Sequence, residues 1–275
     1  MAAGPGRRVN PALTTRSFRR MKAEGRKIVV LTAYDWMLAR YLDAAGVDAI
    51  LVGDSAGQVF AGHRTTLPVT LDDMIYHARA VRRGAPERFL IVDMPFLTFQ
   101  VSPEETLRNA GRIMKETDAQ AVKVEGGAGL EKTIARLVGC GIPVMGHLGL
   151  TPQSVHAFGG YGLRASEAVE ADRLRSDARA LERAGCFSLV LEKIPRALAA
   201  EVSVELEIPT IGIGAGPDTD GQVLVTPDLL GLTPDFRPRF VRRYADLDEV
   251  VRSALSRFAA DVREGSFPGA EESYP

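Results

Sequence analysis

The chain has 275 residues, of which 45% are hydrophobic and 25% charged, an ordinary composition for a globular protein that can bury a large core. Its 34 basic and 35 acidic residues give a net charge of −1, so no strong overall field draws it to nucleic acid or to an anionic membrane. The two cysteines, Cys140 and Cys186, form no CxxC pair, which excludes a zinc knuckle and a disulfide framework and suits a reducing compartment.

The N-terminal segment, residues 1–27, is basic but lacks the apolar central run of a secretory signal. No stretch of the chain reaches the ~18 apolar residues of a membrane span. We expect a disordered tail over about residues 1–12, followed by a short helix that covers one end of the domain. An organellar transit peptide is the lesser alternative for this Arg- and Ser/Thr-rich start.

Eight short runs rich in Val, Ile and Leu follow along the chain. Their nearly continuous apolar character is typical of parallel strands that are covered on both faces. The runs are KIVVLTAY (27–34), DAILVGDS (48–55), FLIVDMPF (89–96), AVKVEGG (121–127), PVMGHLG (143–149), SLVLEKIP (188–195), TIGIGAG (210–216) and VLVTPD (223–228).

Helical signals lie between these runs, for example Ser102 as an N-cap before Pro103 at the first helical position. A weak internal repeat, residues 42–54 against 181–193, shows the same order of helix end, glycine and strand. Eight strands alternating with helices predict an α/β fold, a (β/α)8 TIM barrel that forms a single domain over residues 1–275. A doubly wound parallel sheet is the main structural alternative, because periodicity alone does not exclude it.

Polar and ionisable side chains stand at the C-terminal ends of five predicted strands. They are Asp54 with Ser55, then Asp93, Lys123 with Glu125, His147 and Glu192. In a barrel these strand ends meet at one rim, where the active sites of this fold lie. Each residue also has a plain structural interpretation, such as a turn, a helix cap, an internal ion pair or a satisfied core histidine. Because buried charges are rare unless they are paired or metal-bound, the coincidence favours a site.

The residue types indicate which chemistry such a site could perform. Asp54 and Asp93 offer hard oxygen ligands, which favour Mg²⁺ or Mn²⁺ over zinc and leave coordination positions open for water or substrate. A 2-oxo acid could fill two of these positions, so that the metal polarises its ketone and stabilises an enolate. Glu192 is then the candidate base for the C3 proton. Lys123 could pair with substrate charge or form a Schiff base, and the residues alone leave both open.

The glycine-rich stretch GIGAGPDTDG, residues 212–221, follows the seventh run. A loop of this kind can bind phosphate in barrels, but it lacks the GxGxxG spacing of a dinucleotide fingerprint. We interpret it as a tight loop whose backbone approaches a ligand closely.

Longer motifs surround these residues in a fixed order: LTAYDWMLAR, LVGDSAG, TTLPVTLDDM, VDMPF, VKVEGG, GIPVMGHLGLTPQSVHAFGGY, LVLEKIP and IPTIGIGAGPDTDGQVLV. Together they resemble the ketopantoate hydroxymethyltransferase family (3-methyl-2-oxobutanoate hydroxymethyltransferases), from about Leu13 to near the C-terminus. The resemblance implies a phosphoenolpyruvate/pyruvate-type barrel with a short N-terminal helix. It also implies transfer of a hydroxymethyl group from 5,10-methylenetetrahydrofolate to 3-methyl-2-oxobutanoate through a Mg-stabilised enolate. The product would be 2-dehydropantoate, in the first committed step of pantothenate synthesis.

The same resemblance implies a role for each polar residue at the rim. The implied set is a Mg²⁺ site at Asp54, Asp93 and Glu125, substrate contacts at Asp54, Ser55, Asp93, Lys123 and His147, and a catalytic proton acceptor at Glu192. Members of this family usually act on small molecules as ring-like homodecamers in the cytoplasm. The resemblance therefore implies a homo-oligomer with no nucleic-acid or membrane partner.

The chain departs from the family pattern in the loop Gly162–Ser166, at His156 and in the tail EESYP, and none of these departures removes a proposed catalytic group. Three other functions stay open. A lyase of the isocitrate-lyase type would be expected to carry a cysteine after the fourth strand, where this chain reads GGAGLEKT. A Schiff-base aldolase would act through Lys123, and a catalytically silent barrel would have no need to keep every acid.

Overall fold

The computed structural model describes residues 13–275 and separates into two compact units, one ending at Leu224 and one running from Val225 to Pro275. That residues 1–275 form one domain stays a prediction, and the tail expected at residues 1–12 lies outside the described residues. Within the described range, no helix is long and apolar enough to cross a membrane. Cys140 is exposed and Cys186 is buried, and both are free thiols.

Eight parallel strands close into a barrel in the first unit, each paired with its neighbours in chain order. The strands are β1 (Ile28–Thr32), β2 (Ala49–Val52), β3 (Phe89–Asp93), β4 (Ala121–Glu125), β5 (Val144–Gly149), β6 (Ser188–Glu192), β7 (Thr210–Ile213) and β8 (Gly221–Leu224). Because β1 also pairs with β8, the sheet has no open edge, and the doubly wound alternative is wrong. The predicted (β/α)8 barrel is confirmed.

Helices alternate with most of the strands along the chain. They are α1 (Thr15–Ala23), α2 (Trp36–Ala45), α3 (Ala56–Val59), α4 (Leu71–Gly84), α5 (Pro103–Thr117), α6 (Glu131–Gly139), α7 (Val155–Phe158), α8 (Ala168–Arg183) and α9 (Arg196–Glu205). The predicted cap of α5 is confirmed, because the Ser102 hydroxyl accepts a hydrogen bond from the Glu105 N–H. The predicted N-terminal helix is α1, whose Phe18 ring packs 5.0 Å from that of Phe89 at the start of β3.

Strands β2 to β7 are buried on both faces along nearly their whole length, which explains why they read as continuous apolar runs. Every residue of β2, β3 and β4 is buried. One face lines the barrel interior and the other lies under helices such as α4, which buries Met74, Ala78 and Val81. Burying one large aliphatic side chain of this kind contributes roughly 1.5–3 kcal/mol to folding. A charged residue on such a strand is therefore costly unless its neighbours compensate.

The last two strands differ from strict alternation, because residues 214–220 join β7 to β8 without a helix. The ends of the glycine-rich stretch are thus strand residues rather than loop, with Gly212 in β7 and Gly221 in β8. A Cβ on Gly221 would lie 2.4 Å from the Ile28 carbonyl oxygen of β1. The glycine therefore serves close packing of two strands, which is a structural role at that position.

The predicted eighth strand, residues 223–228, is wrong at its end. The strand stops at Leu224, and the second unit begins with a short helix, α10 (Thr226–Leu229), in which Pro227 occupies the first turn. Proline lacks the N–H that a ladder requires but is well suited to the start of a helix. The same unit contains the longer α11 (Leu247–Glu264), which ends at Gly265 in the left-handed conformation.

Candidate active site

The predicted polar residues meet at the C-terminal mouth of the barrel. Five of them, Asp54, Asp93, Lys123, Glu125 and His147, are buried, with at most 8% of each residue exposed. Ser55 and Glu192 are half-buried beside them. The register brings Lys123 beside Asp93 on neighbouring strands, and His147 beside Glu125. The polar residues that the sequence places at the ends of the strands therefore form one contiguous cluster.

Asp93 connects the ends of β2, β3 and β4. Its Oδ2 accepts the backbone N–H of Asp54 at 3.0 Å, and its Oδ1 lies 2.5 Å from Lys123 Nζ. A Cβ on Gly53 would lie 2.8 Å from Ser55 Oγ and 3.5 Å from Asp93 Oδ2, so a glycine leaves room for this close approach. The glycine at the end of β2 thus leaves room for the Ser55 hydroxyl beside Asp93.

Burial dominates the electrostatics of the two aspartates. Burial raises the pKa of Asp54 well above its usual range, and the charges of Asp93 and Glu125 raise it further. Burial also raises the pKa of Asp93, although the ion pair with Lys123 opposes this effect. For Lys123, burial lowers the pKa, but the surrounding carboxylates outweigh burial and raise it above its usual value. The lysine is therefore a charged ammonium group at neutral pH.

His147 lies between two glutamates. Its Nδ1 is 3.3 Å from Glu125 Oε1, and its Nε2 is 3.1 Å from Glu192 Oε2. Burial and the charge of Lys123 would lower the pKa of His147, but the contacts with both carboxylates raise it to about 9. Burial would raise the pKa of Glu125, but His147 and Lys123 lower it. The imidazole is thus positively charged at neutral pH and holds the Glu192 carboxylate at the mouth.

Glu192 is less buried than the other acids of the cluster. The residue is half-buried, and its nearest charged partner is the His147 ring. The reason is its position as the last residue of β6, where the side chain reaches toward the open end of the barrel. A half-buried carboxylate at the mouth is accessible to a small substrate.

Gln153 is a buried site residue that was missed in the sequence. Its side-chain amide donates to Asp54 Oδ2 at 2.9 Å and to the Met94 carbonyl oxygen at 3.0 Å. Its backbone N–H donates to Glu125 Oε2 at 3.0 Å. The amide oxygen accepts from Gln100 Nε2 at 3.2 Å, which fixes the orientation of the amide. The only available signal was a polar residue just beyond the end of β5, in the motif GLTPQSV.

Ser55 begins the short helix α3 directly after Asp54. Its hydroxyl lies 2.8 Å from the Tyr34 hydroxyl, which comes from the segment after β1. This contact orients the Ser55 side chain beside the acidic cluster, where a hydroxyl could bind a substrate oxygen.

Asp54 and Asp93 could hold a divalent cation as a pair of carboxylate ligands. Among residues 13–275, no group of three or more His, Cys, Asp or Glu side chains is arranged to hold a metal ion. Mg²⁺ often uses only one or two carboxylates and keeps water or substrate as its other ligands, which Asp54 and Asp93 could satisfy. Burial is the main cause that raises the pKa of both carboxyl groups, and a bound cation would offset this cost of burying their charge. Glu125 already contacts His147 and Gln153, which favours an indirect role through water.

The closed parallel barrel and its buried charged mouth define a (β/α)8-barrel enzyme. Among solved structures, the chain is similar to 2,3-dimethylmalate lyase, a member of the PEP mutase/isocitrate lyase superfamily, with a TM-score of 0.60 and 20% identity over 96% of this chain and 93% of that one. Phosphonopyruvate hydrolase, in complex with oxalate and Mg²⁺, gives a TM-score of 0.62 and 13% identity, covering 94% of this chain and 93% of that one. At these identities the similarity shows the fold, a barrel of the PEP mutase/isocitrate lyase type.

The ketopantoate hydroxymethyltransferase family model matches residues 12–270, and the chain belongs to this family. A 3-methyl-2-oxobutanoate hydroxymethyltransferase from Prosthecochloris aestuarii is 60% identical over 268 residues, covering 96% of this chain and 97% of that protein. The protein of the same name from Salinibacter ruber is 58% identical over 264 residues, covering 96% of this chain and 100% of that protein. The predicted family and enzyme class are therefore confirmed, and the chain is a transferase.

Proposed function

We propose that this chain transfers a hydroxymethyl group from 5,10-methylenetetrahydrofolate to C3 of 3-methyl-2-oxobutanoate, which yields 2-dehydropantoate in pantothenate synthesis. The names of its relatives supply the acceptor and the group transferred. The observation that carries the proposal is the set of contacts running from Asp54 through Asp93 and Lys123 to Glu125, His147 and Glu192 at one barrel mouth. This set combines a positively charged lysine, which could attract an oxo acid, with a carboxylate that could remove a proton.

Asp54 and Asp93 would hold Mg²⁺ in this proposal, with Glu125 acting through water. The bound metal would supply Lewis-acid chemistry, polarising the ketone of the oxo acid so that the C3 proton becomes more acidic. Support comes from the donor set on this chain, two buried carboxyl groups whose pKa values are raised chiefly by burial and which offer the hard oxygen ligands that Mg²⁺ prefers. One structural neighbour of low identity is described as a complex with Mg²⁺, which supports the same choice by analogy of fold.

Glu192 is the proposed proton acceptor. It is half-buried at the end of β6, and His147 Nε2 fixes its carboxylate at 3.1 Å. Glu192 takes the proton from C3, and the electron pair left on C3 forms the bond to the one-carbon unit of the donor. One water supplies the hydroxyl oxygen, and the two C–N bonds that hold the one-carbon unit in the donor break. The two freed nitrogens take up the C3 proton and one proton of the water, so that the donor leaves as tetrahydrofolate. Lys123 and Ser55 are the proposed contacts for the substrate carboxylate and ketone.

A Schiff base at Lys123 is disfavoured. Such a reaction needs a neutral amine, and neutral lysines arise where burial or other cations lower the pKa. Here the ammonium group lies 2.5 Å from Asp93 and 3.7 Å from Glu125, and its pKa is raised. An electrostatic role, in which the lysine stays charged and attracts the oxo acid, fits this environment better.

The assembly and location of the protein stay predictions from the family resemblance. We propose a homodecamer in the cytoplasm that binds small molecules and has no nucleic-acid or membrane partner. The near-zero net charge supports the absence of a nucleic-acid partner. Sedimentation of the purified protein would test the oligomer directly.

The first experiment is exchange of the C3 proton of 3-methyl-2-oxobutanoate in D₂O, followed by NMR with and without Mg²⁺ and then with tetrahydrofolate added. We expect metal-dependent exchange, and formation of 2-dehydropantoate when 5,10-methylenetetrahydrofolate is supplied. Glu192→Gln should lose the exchange while it keeps Mg²⁺ affinity. Exchange retained in Glu192→Gln would contradict the assignment of the base, and absence of product from the wild-type protein would contradict the proposed function.

A further inference from the structure

Tyr161 lies in the loop between α7 and α8 and contacts two elements at the barrel mouth. Its hydroxyl is 3.4 Å from Nε2 of Gln58, which lies on α3 after β2. Its backbone carbonyl oxygen accepts a hydrogen bond from the Lys193 ammonium group, and Lys193 is the residue after Glu192 on β6. In a closed ring of eight strands in chain order, β2 and β6 are diametrically opposite. The loop therefore crosses the mouth.

A second contact fixes this loop. The Arg164 N–H donates to the Lys193 carbonyl oxygen at 2.9 Å, so the residue after Glu192 binds the loop through both its side chain and its backbone. Lys193 has a φ of 48°, a left-handed conformation that is uncommon for a residue other than glycine. Lys193 therefore attaches the loop that carries Tyr161 to the end of β6.

The Tyr161 residue is 38% exposed, so part of its ring is accessible from solvent. Burial raises the pKa of the Tyr161 hydroxyl, and the charges of Asp54 and Glu192 raise it further, consistent with a ring that lies near both acids. The partly exposed Tyr161 ring offers a flat apolar surface at a mouth that is otherwise lined mainly by charged side chains. Aromatic rings bind planar heteroaromatic groups by stacking.

We propose that the Tyr161 ring is the docking surface for the co-substrate, against which the planar pyrimidine part of the reduced pterin packs. The inference rests on the proposed function, since that function requires a folate donor at the same mouth. The one-carbon unit of such a donor is attached next to its pterin ring, so a ring held by Tyr161 would present this carbon toward the space between Asp54 and Glu192. Tyr161 would then bind the donor and have no part in forming the enolate.

The experiment separates donor binding from proton removal. We expect Tyr161→Ala to raise KM for 5,10-methylenetetrahydrofolate about tenfold. The KM for 3-methyl-2-oxobutanoate and the folate-free rate of C3 proton exchange should stay within about twofold of wild type, because the acids below are untouched. Tyr161→Phe should keep the donor KM near the wild-type value, because the stacking surface remains. Tyr274→Ala is the control, since Tyr274 is 98% exposed and lies in the second unit.

Three outcomes would overturn the inference. One is an unchanged donor KM in Tyr161→Ala. Another is an equal rise in the KM values of both substrates, which would indicate a general collapse of the mouth. The third is a Tyr161→Phe variant as impaired as Tyr161→Ala, which would assign the role to the hydroxyl. A wild-type protein that forms no product would instead refute the proposed function, so the two failures are distinguishable.

Discussion

His147 Nε2 lies 3.1 Å from Glu192 Oε2, which joins a buried, positively charged imidazole to the carboxylate proposed as the base. The other ring nitrogen faces Glu125 at 3.3 Å, so the ring is held from both sides. A carboxylate group therefore lies on either side of the imidazole. We therefore expect His147 to act as a positioning residue for Glu192.

Replacement of His147 by glutamine should therefore impair proton removal more than substrate binding. The amide can replace one of the two contacts, but it carries no charge and leaves Glu192 less firmly held. We expect the rate of C3 proton exchange to fall about 10- to 100-fold, the range found when a group that orients a ligand or base is removed. The KM for the oxo acid should change less. A KM that rises as steeply as the rate falls would show that His147 mainly binds substrate.

Gln153→Met should weaken the metal site without touching a proposed ligand. The substitution removes the donor to Asp54 Oδ2 and leaves the buried Met94 carbonyl oxygen unsatisfied, which should cost about 1–3 kcal/mol of stability. We expect Mg²⁺ affinity, measured by calorimetry, to fall about tenfold or more.

Gln120→Met is the matched control for this variant. The Gln120 amide oxygen accepts from the Leu90 N–H at 2.7 Å, at the opposite end of the barrel. Its loss should lower stability by a comparable amount and leave Mg²⁺ affinity unchanged. If both variants bound Mg²⁺ equally well, Gln153 would have only a structural role.

Gly221→Ala should destabilise the barrel where β8 meets β1. The new Cβ would lie 2.4 Å from the Ile28 carbonyl oxygen, and neither backbone can move without breaking the ring of strands. We expect a loss of about 1–3 kcal/mol in the free energy of unfolding, measured by urea denaturation. Gly111→Ala on α5 is the control, because nothing lies within 4 Å of its new Cβ and alanine favours a helix by about 1 kcal/mol. Equal effects of the two substitutions would contradict the packing argument.

Most of the barrel could be predicted because β2 to β7 are buried on both faces and therefore appear as apolar runs. The eighth strand was predicted to begin two residues too late, because Gly221 and Gln222 carry no apolar signal. Their extended conformation is imposed by pairing with Ile28 and Val29 of β1, a contact between residues far apart in sequence. The strand propensity of individual residues does not reveal such a contact, because the contact forms only when the whole barrel closes.

The charged site could be predicted for a related reason. In a closed parallel barrel all strand ends point to one mouth, so an ionisable residue at each end is enough to place the cluster. Gln153 and Tyr161 escaped this rule because they lie on the segment beyond β5 rather than on a strand. Gln153 has no charge, and its importance arises only when the fold brings Asp54 and Glu125 to either side of it.

Asp93→Asn should affect metal binding and stability together. The asparagine keeps the shape of the side chain but leaves the Lys123 ammonium group, 2.5 Å away, with less negative charge to balance it in a buried environment. Removing one charge of a buried ion pair commonly costs about 3–5 kcal/mol. We therefore expect the free energy of unfolding to decrease by about this amount or less. Mg²⁺ affinity should fall sharply, because one of the two proposed carboxylate ligands is lost. Calorimetry with Mg²⁺ and urea denaturation would measure the two effects.

Glu192→Gln provides the comparison for Asp93→Asn. Glu192 is half-buried and lies outside the aspartate pair, so its variant should bind Mg²⁺ as the wild type does and lose C3 proton exchange. Loss of both metal affinity and exchange in Asp93→Asn, but of exchange alone in Glu192→Gln, would separate the metal-binding acids from the base. If Asp93→Asn retained full Mg²⁺ affinity, the metal would have to bind elsewhere at the mouth, and Asp93 would serve chiefly to neutralise Lys123.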